Sequence, residues 1–245
     1  MFGITLATYL LPMLSGLAAE KKFPEFRHEL RQGVSYLVFV NLLASVLLLT
    51  LAEPIMRLLF ERGKFDATST AQATLALTCL APGLVAFSLV NVLARAFFAL
   101  GDTRTPMRIS VFCLTLNLAL AAVLVWPYKQ GGLGIANTIS AILNVCLLTY
   151  ALRRKLKTLE MAPLQKLVLP LALATALAGV IAWFGWRWWE GALGHATLAL
   201  KIGAVFAPAA VAALIYWLTT FTLKVPAATE MTELVFQKVR GPAKS

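Results

Sequence analysis

The sequence predicts an all-α fold, a polytopic transmembrane helix bundle with six full spans and one partial N-terminal span. Three observations predict it. The 245 residues are 60% hydrophobic and 13% charged, with a mean hydropathy of +0.79, outside the range of soluble globular domains. The apolar residues come in runs of about 20 or more, long enough to cross about 30 Å of hydrocarbon. The Lys and Arg side chains fall mostly between those runs. Backbone polar groups in a bilayer must be satisfied within the chain, so runs of this length are helices. The alternating segments of a membrane β-barrel are missing.

Residues 1–19 are apolar and lack the basic lead of a signal peptide, so they read as the second half of a span. In 20–31, Phe23, Phe26 and Leu30, followed by Val34, fall at helical spacing, with Pro24 in a first-turn position. That pattern predicts a short amphipathic helix lying at the membrane interface. Full spans are predicted at 33–56, 70–100, 107–127, 133–151, 164–186 and 197–223. Pro82-Gly83 interrupts the second of these, and Pro170 and Pro208 interrupt the last two. Proline removes an i→i−4 bond and kinks a helix. Pro82-Gly83 is read as a hinge for alternating access, and the other two prolines as packing kinks. From Lys224 to Ser245 the chain is a polar tail. Glu230 and Glu233 precede Lys238 and Arg240, and Gly241-Pro242 closes the segment, which predicts a short amphipathic surface helix.

Charge sets an expected orientation. Alternate loops carry Lys21, Lys22, Arg27 and Arg31; Arg104 and Arg108; Arg153, Arg154, Lys155, Lys157 and Lys166; and, in the tail, Lys224, Lys238, Arg240 and Lys244. The opposite loops carry only Arg57, Arg62, Lys64, Lys129, Arg187 and Lys201. The excess of positive charge places the first set, and the C-terminus, in the cytoplasm. Trp126, Tyr128, Trp183, Trp186, Trp188 and Trp189 crowd the opposite face as an interfacial belt. The net charge of +11 is accounted for by these loops, and no nucleic-acid-binding motif accompanies it.

The stretch Ala94–Met107 is the best-punctuated turn. Gly101 suits the left-handed residue that ends a helix, and the short carboxylate of Asp102 suits acceptance of nearby backbone N–H groups. Thr105 is expected to cap the next helix and Pro106 to open it. Arg95, Arg104 and Arg108 are positive charges beside two spans.

No catalytic constellation is evident. The acidic side chains lie in loops or near span ends, and His28 and His195 are expected on opposite faces. No HExxH or glycine-rich phosphate loop is present, and Cys79, Cys113 and Cys146 sit singly in apolar runs. No metal and no cofactor are implied. The remaining polar candidates are Asn41, Asn91 and Asn117, with Asn137 and Asn144, all within spans. Each fits two readings, an interhelical hydrogen bond or a polar path for a substrate headgroup. Arg95 lies about 9 Å from the cytoplasmic end at about 1.5 Å per residue. It either snorkels or faces a polar cavity, where it would suit an anionic, phosphate-bearing substrate.

Three blocks carry a family resemblance: Leu10-Leu11-Pro12 with Leu14-Ser15, the run Arg57 to Phe65 (RLLFERGKF), and Ala94 to Pro106 (ARAFFALGDTRTP). Together they resemble the MurJ/MviN lipid II flippases of the multidrug/oligosaccharidyl-lipid/polysaccharide exporter superfamily. The resemblance implies a fourteen-helix, two-lobed transporter that moves undecaprenyl-pyrophosphate-linked peptidoglycan precursor across the bacterial inner membrane by alternating access. It implies that this chain corresponds to helices eight (in part) through fourteen. On that alignment residues 1–156 belong to the C-terminal lobe, 157–223 form two further helices with a groove for the lipid tail, and 224–245 form a cytoplasmic tail. The expected partners are lipid II, membrane lipids and a missing N-terminal lobe. The resemblance places the family's cavity arginines in its first and second helices and in the first half of its eighth, positions with no match in this sequence, so no counterpart is carried over, and Pro82, Gly83, Gly101, Asp102, Arg104, Thr105 and Pro106 become hinge and connector positions. A related polysaccharide-lipid flippase, a drug exporter, a membrane enzyme acting on lipid-linked sugars and a scaffold are the alternatives.

Overall fold

The computed structural model describes residues 2–61, 66–156 and 162–229, with side chains described from Thr8 onward and from Leu167 onward after the second gap. Among these residues the secondary structure is helical, in the order α1 (Phe2–Ala19), α2 (Phe23–Thr50), α3 (Ala52–Phe60), α4 (Ala67–Leu80), α5 (Gly83–Ala99), α6 (Arg104–Tyr128), α7 (Gln130–Leu156), α8 (Ala162–Ala192) and α9 (Leu198–Thr222). Five are long and apolar enough to cross a membrane, and the bent pair α4–α5 makes a sixth candidate. The helices run up and down, so the bundle has a basic end, carrying the 101–104 turn, and a tryptophan end, carrying Trp126 and Trp188.

Two predicted boundaries are corrected. The segment 20–31 is not a separate interfacial helix. From Phe23 onward it forms the first turns of α2, and Phe26, Leu30 and Leu37 are buried in one continuous stripe against Leu10, Leu14, Val92, Phe97 and Leu148. Gly33 causes no break, because its bare Cα admits Leu10; a Cβ there would sit 2.5 Å from Leu10 Cδ1. The span predicted at 33–56 ends at Thr50, and α3 starts a new direction. Pro54 supplies the reason, since it has no N–H to donate to the carbonyl of Thr50.

Two cores hold the helices. One joins α1, the first half of α2, α5 and α7 around Leu14, Phe26, Phe97 and Leu152. The other joins the second half of α2 to α8 and α9, where Ala174, Ala178 and Ala182 form a small-residue stripe against Phe39 and Tyr216. Small residues let helices approach closely in lipid, where packing and hydrogen bonds replace the hydrophobic drive. Tyr216 Oη donates to the Phe39 carbonyl at 2.8 Å. Val225, Ala227 and Ala228 are buried in this second core, so the polar tail begins later than Lys224. The helix predicted around Glu230 to Arg240 lies outside the described residues. α8 and α9 each run as single helices through Pro170 and Pro208, and Pro208 packs on Gly185.

The break at Pro82-Gly83 is present, with α4 and α5 inclined by 46°. Two hydroxyls from neighbouring helices cover the backbone exposed there. Ser45 Oγ of α2 donates to the Ala81 carbonyl at 2.6 Å, and Thr138 Oγ1 of α7 donates to the Cys79 carbonyl at 2.8 Å. A broken helix in hydrocarbon requires such partners.

Candidate functional site

The basic end is built around the 101–105 turn. The N–H of Asp102 donates to Phe97 O and that of Gly101 to Phe98 O, both at 3.0 Å, with Gly101 at φ +72°. This is a Schellman C-cap. The next helix starts at Arg104, and its cap differs from the expectation. Thr105 is the donor, not the cap: Asp102 Oδ1 accepts its N–H at 3.0 Å and Oδ2 accepts its hydroxyl at 2.8 Å. Pro106 accordingly sits at the third helical position, buried. Lys155, from the last turn of α7, reaches Asp102 Oδ2 at 2.7 Å. The hydrogen bond and charge of Lys155, with the Thr105 N–H, hold the Asp102 carboxyl down to about 2. Arg104 and Arg108 are exposed beside this turn.

Between α5, α6 and α7 lies a groove of about 300 Å³, open to the side of the bundle. Asn91 and Asn117 both line it, with Asn137, Asn144, Ser110 and Ser140. Asn117 Nδ2 donates to Asn137 Oδ1 at 2.7 Å, tying α6 to α7. Ser140 Oγ donates across the same pair to Cys113 O at 2.7 Å. Asn91 Nδ2 is turned back to Phe87 O in its own helix, and Asn144 Oδ1 is buried without a hydrogen-bond partner. Asn41 lies elsewhere: it is buried between α2 and α5, donating to Leu37 O and accepting from Ser88 Oγ at 3.1 Å. Arg95 is one turn beyond Asn91 toward the basic end, and its Nη1 donates to Thr8 Oγ1 of α1 at 3.2 Å.

Sequence reasoning did not single out the groove as a unit. The signal was available, because Ser110, Cys113, Leu114 and Asn117 on α6 and Asn137, Ser140, Ala141 and Asn144 on α7 share the i, i+3, i+4, i+7 spacing of one helix face. Trp126, Tyr128, Trp183 and Trp188 are exposed at the opposite end, as a belt requires, and Arg187 lies over the Trp183 ring at 5.6 Å. Trp189 instead packs onto Gly203 and donates to Leu200 O at 3.2 Å. Among the described residues no group of three or more His, Cys, Asp or Glu is placed to hold a metal ion.

Fold and groove together define a class, a polytopic α-helical membrane protein with a polar seam on one flank. The description "Lipid II flippase MurJ" belongs to a family profile that matches residues 1–224. The chain belongs to that family. A probable lipid II flippase MurJ of Vibrio cholerae is 35% identical over 148 residues, which are 60% of this chain and 28% of the relative. The Synechocystis protein of the same description is 26% identical over 230 residues, 94% of this chain and 43% of the relative. The Rhizobium tropici protein is 29% identical over 223 residues, covering 90% and 42%. A solved structure of a lipid II flippase MurJ in an inward closed conformation superposes with a TM-score of 0.65 at 20% identity, over 89% of this chain and 43% of that one. That likeness shows the shared fold. The chain spans less than half the length of these relatives.

Proposed function

We propose that this chain forms the C-terminal portion of a flippase that carries lipid II across the bacterial inner membrane, working by alternating access and making no bond. The single observation that carries the reading beyond family membership is the polar groove on α5, α6 and α7. It places Asn91, Asn117, Asn137 and Asn144 along a flank of the bundle, with Arg95 one turn further toward the basic end. A diphosphate headgroup cannot cross bare hydrocarbon at acceptable cost, so a polar flank facing a second lobe suits its passage. α6 supports the same reading, because it packs chiefly on α7 and leaves Val111, Leu114 and Leu118 exposed for lipid or an N-terminal lobe.

The basic end faces the cytoplasm in this proposal, following the loop charges, and the C-terminus lies there too. α8 and α9, packed on α2, hold the lipid tail. Pro82-Gly83 is the hinge about which α4 moves against α5. The readings as a membrane enzyme or a scaffold are not favoured by the family match.

The test is Arg95→Ala within a full-length flippase whose C-terminal portion is this chain. Flipping is expected to fall while membrane abundance stays unchanged. Unchanged flipping assigns Arg95 to its bond with Thr8 alone and removes it from the substrate path.

A further inference from the structure

Toward the basic end, α1 and α2 leave a second pocket of about 230 Å³ that shares no residue with the asparagine groove. Glu29, Gln32, Gly33 and Tyr36 of α2 line it, at the i, i+3, i+4, i+7 spacing of one helix face. Tyr9, Leu10 and Met13 of α1 form the other side. Leu10 and Gly33 are buried and make the floor, since the bare Cα of Gly33 admits Leu10. Gln32 Nε2 donates to the Tyr36 hydroxyl at 2.9 Å, which holds amide and phenol in one arrangement. Glu29 is half-buried, and Tyr9 is 70% exposed.

We propose that this pocket binds a neutral sugar ring of the lipid-linked headgroup, with Tyr9 offering an aromatic face and Glu29 a carboxylate to adjacent hydroxyls. The assignment rests on the substrate proposed above. Chemistry is the first reason. Among the described residues that line the pocket none is a cation, so a phosphate finds no countercharge there. The Glu29 side chain makes no hydrogen bond or ion pair with another described residue. An ionised carboxylate only accepts, and its two oxygens suit a pair of hydroxyl donors. Such charge-assisted bonds are stronger than neutral ones. A sugar ring also presents a face of C–H groups, which suits the apolar body of a tyrosine ring.

Depth is the second reason. Arg31 is the last charged residue of α2, and residues 32–50 run uncharged to the end of the helix. At about 1.5 Å per residue that run is about 28 Å long, close to the hydrocarbon thickness of a bilayer. Glu29 and Gln32 therefore flank the level at which a lipid's headgroup meets its tail. The third reason is the neighbouring cation. Thr8, the residue before Tyr9, accepts from Arg95 Nη1 at 3.2 Å. Arg95 thus meets α1 at the level of the pocket, as a diphosphate contact beside the sugar requires.

The experiment titrates a soluble sugar, methyl N-acetyl-β-glucosaminide, onto the full chain in lipid nanodiscs and follows saturation transfer to its ring protons by NMR. Saturable transfer is expected with the parent chain. Glu29→Gln is expected to weaken binding about tenfold, the loss of one charge-assisted hydrogen bond. Tyr9→Ala is expected to abolish saturation, and Tyr9→Phe, which keeps the ring, to bind like the parent. O-phosphoethanolamine and inorganic pyrophosphate, which carry the charges of other headgroup portions, are expected not to compete. No saturable transfer with the parent, binding unchanged in Glu29→Gln or in Tyr9→Ala, or displacement by either charged probe overturns the proposal. Neither side chain belongs to a core, so these variants leave the fold intact. The readout needs no transport: absent binding overturns the pocket and leaves the flippase reading standing, whereas failed flipping by a full-length protein strikes that reading and leaves the binding result as it is.

Discussion

Ser45 and Thr138 hold the broken span, and removing their hydroxyls should show it. Each supplies one interhelical hydrogen bond to a carbonyl beside the break, at 2.6 Å to Ala81 O and 2.8 Å to Cys79 O. Interhelical hydrogen bonds in membrane proteins average about 0.6 kcal/mol and reach about 1.7. Ser45→Ala and Thr138→Val are therefore expected to cost about 0.6–1.7 kcal/mol each, the valine keeping the shape of the threonine. The two carbonyls belong to the same bend, so the pair should be coupled, and the double variant is expected to lose about 1–3 kcal/mol. Unfolding of the chain in mixed micelles, followed against SDS mole fraction, measures this directly. A double variant within about 0.3 kcal/mol of the parent, below the usual coupling error, would mean that the hydroxyls do not hold the break.

Two other perturbations follow from the same geometry. Gly134→Ala should destabilise the α4–α7 contact by about 1–3 kcal/mol, because the new Cβ meets Cys79 Cβ at 2.7 Å and the backbone oxygen of Ala76 at 3.0 Å, neither free to rotate away; the same SDS titration reads it, and a neutral result would show that α4 slides without cost. Asp102→Asn should speed amide hydrogen exchange at 103–105 near neutral pH, since the Lys155 ion pair is lost while one acceptor oxygen remains for the Thr105 N–H. The carboxyl is held at about 2 against an ordinary 3.8, so its contribution is present above pH 3.8 and is lost as the pH falls from there through about 2. In the Asn variant that acid-induced acceleration should be absent, and its persistence would assign it to another group.

Much of the architecture was legible in the sequence because a bilayer allows few solutions. Apolar runs of span length, the Pro82-Gly83 break and the Gly101 cap each have one local physical meaning, and each appears in the structure. Local signals misled where two meanings competed. The charges of 20–31 suggested a surface helix, but the stripe of Phe26, Leu30 and Leu37 continues into the span and is buried by α1 and α5. Pro54 ended α2 although Leu51, Ala52, Ile55 and Met56 continue the apolar run. Other features were invisible for a different reason. Arg57 and Glu190 are 133 residues apart, and nothing local to either marks the other as its partner. The groove lay between these cases, since its asparagines were evident as costly intramembrane groups while their convergence depended on how α6 packs on α7. Asn41 has the same composition signal, and the fold sends it to a buried bond with Ser88 instead.

Rescue of cells depleted of their lipid II flippase is the measurement closest to the central proposal. The rescuing protein is a full-length relative whose C-terminal portion is replaced by this chain, quantified in the membrane fraction. Growth is expected to be restored by the chimera and not by the 245-residue chain alone. A chimera that accumulates to normal levels without restoring growth, or full rescue by the chain alone, would contradict the proposal.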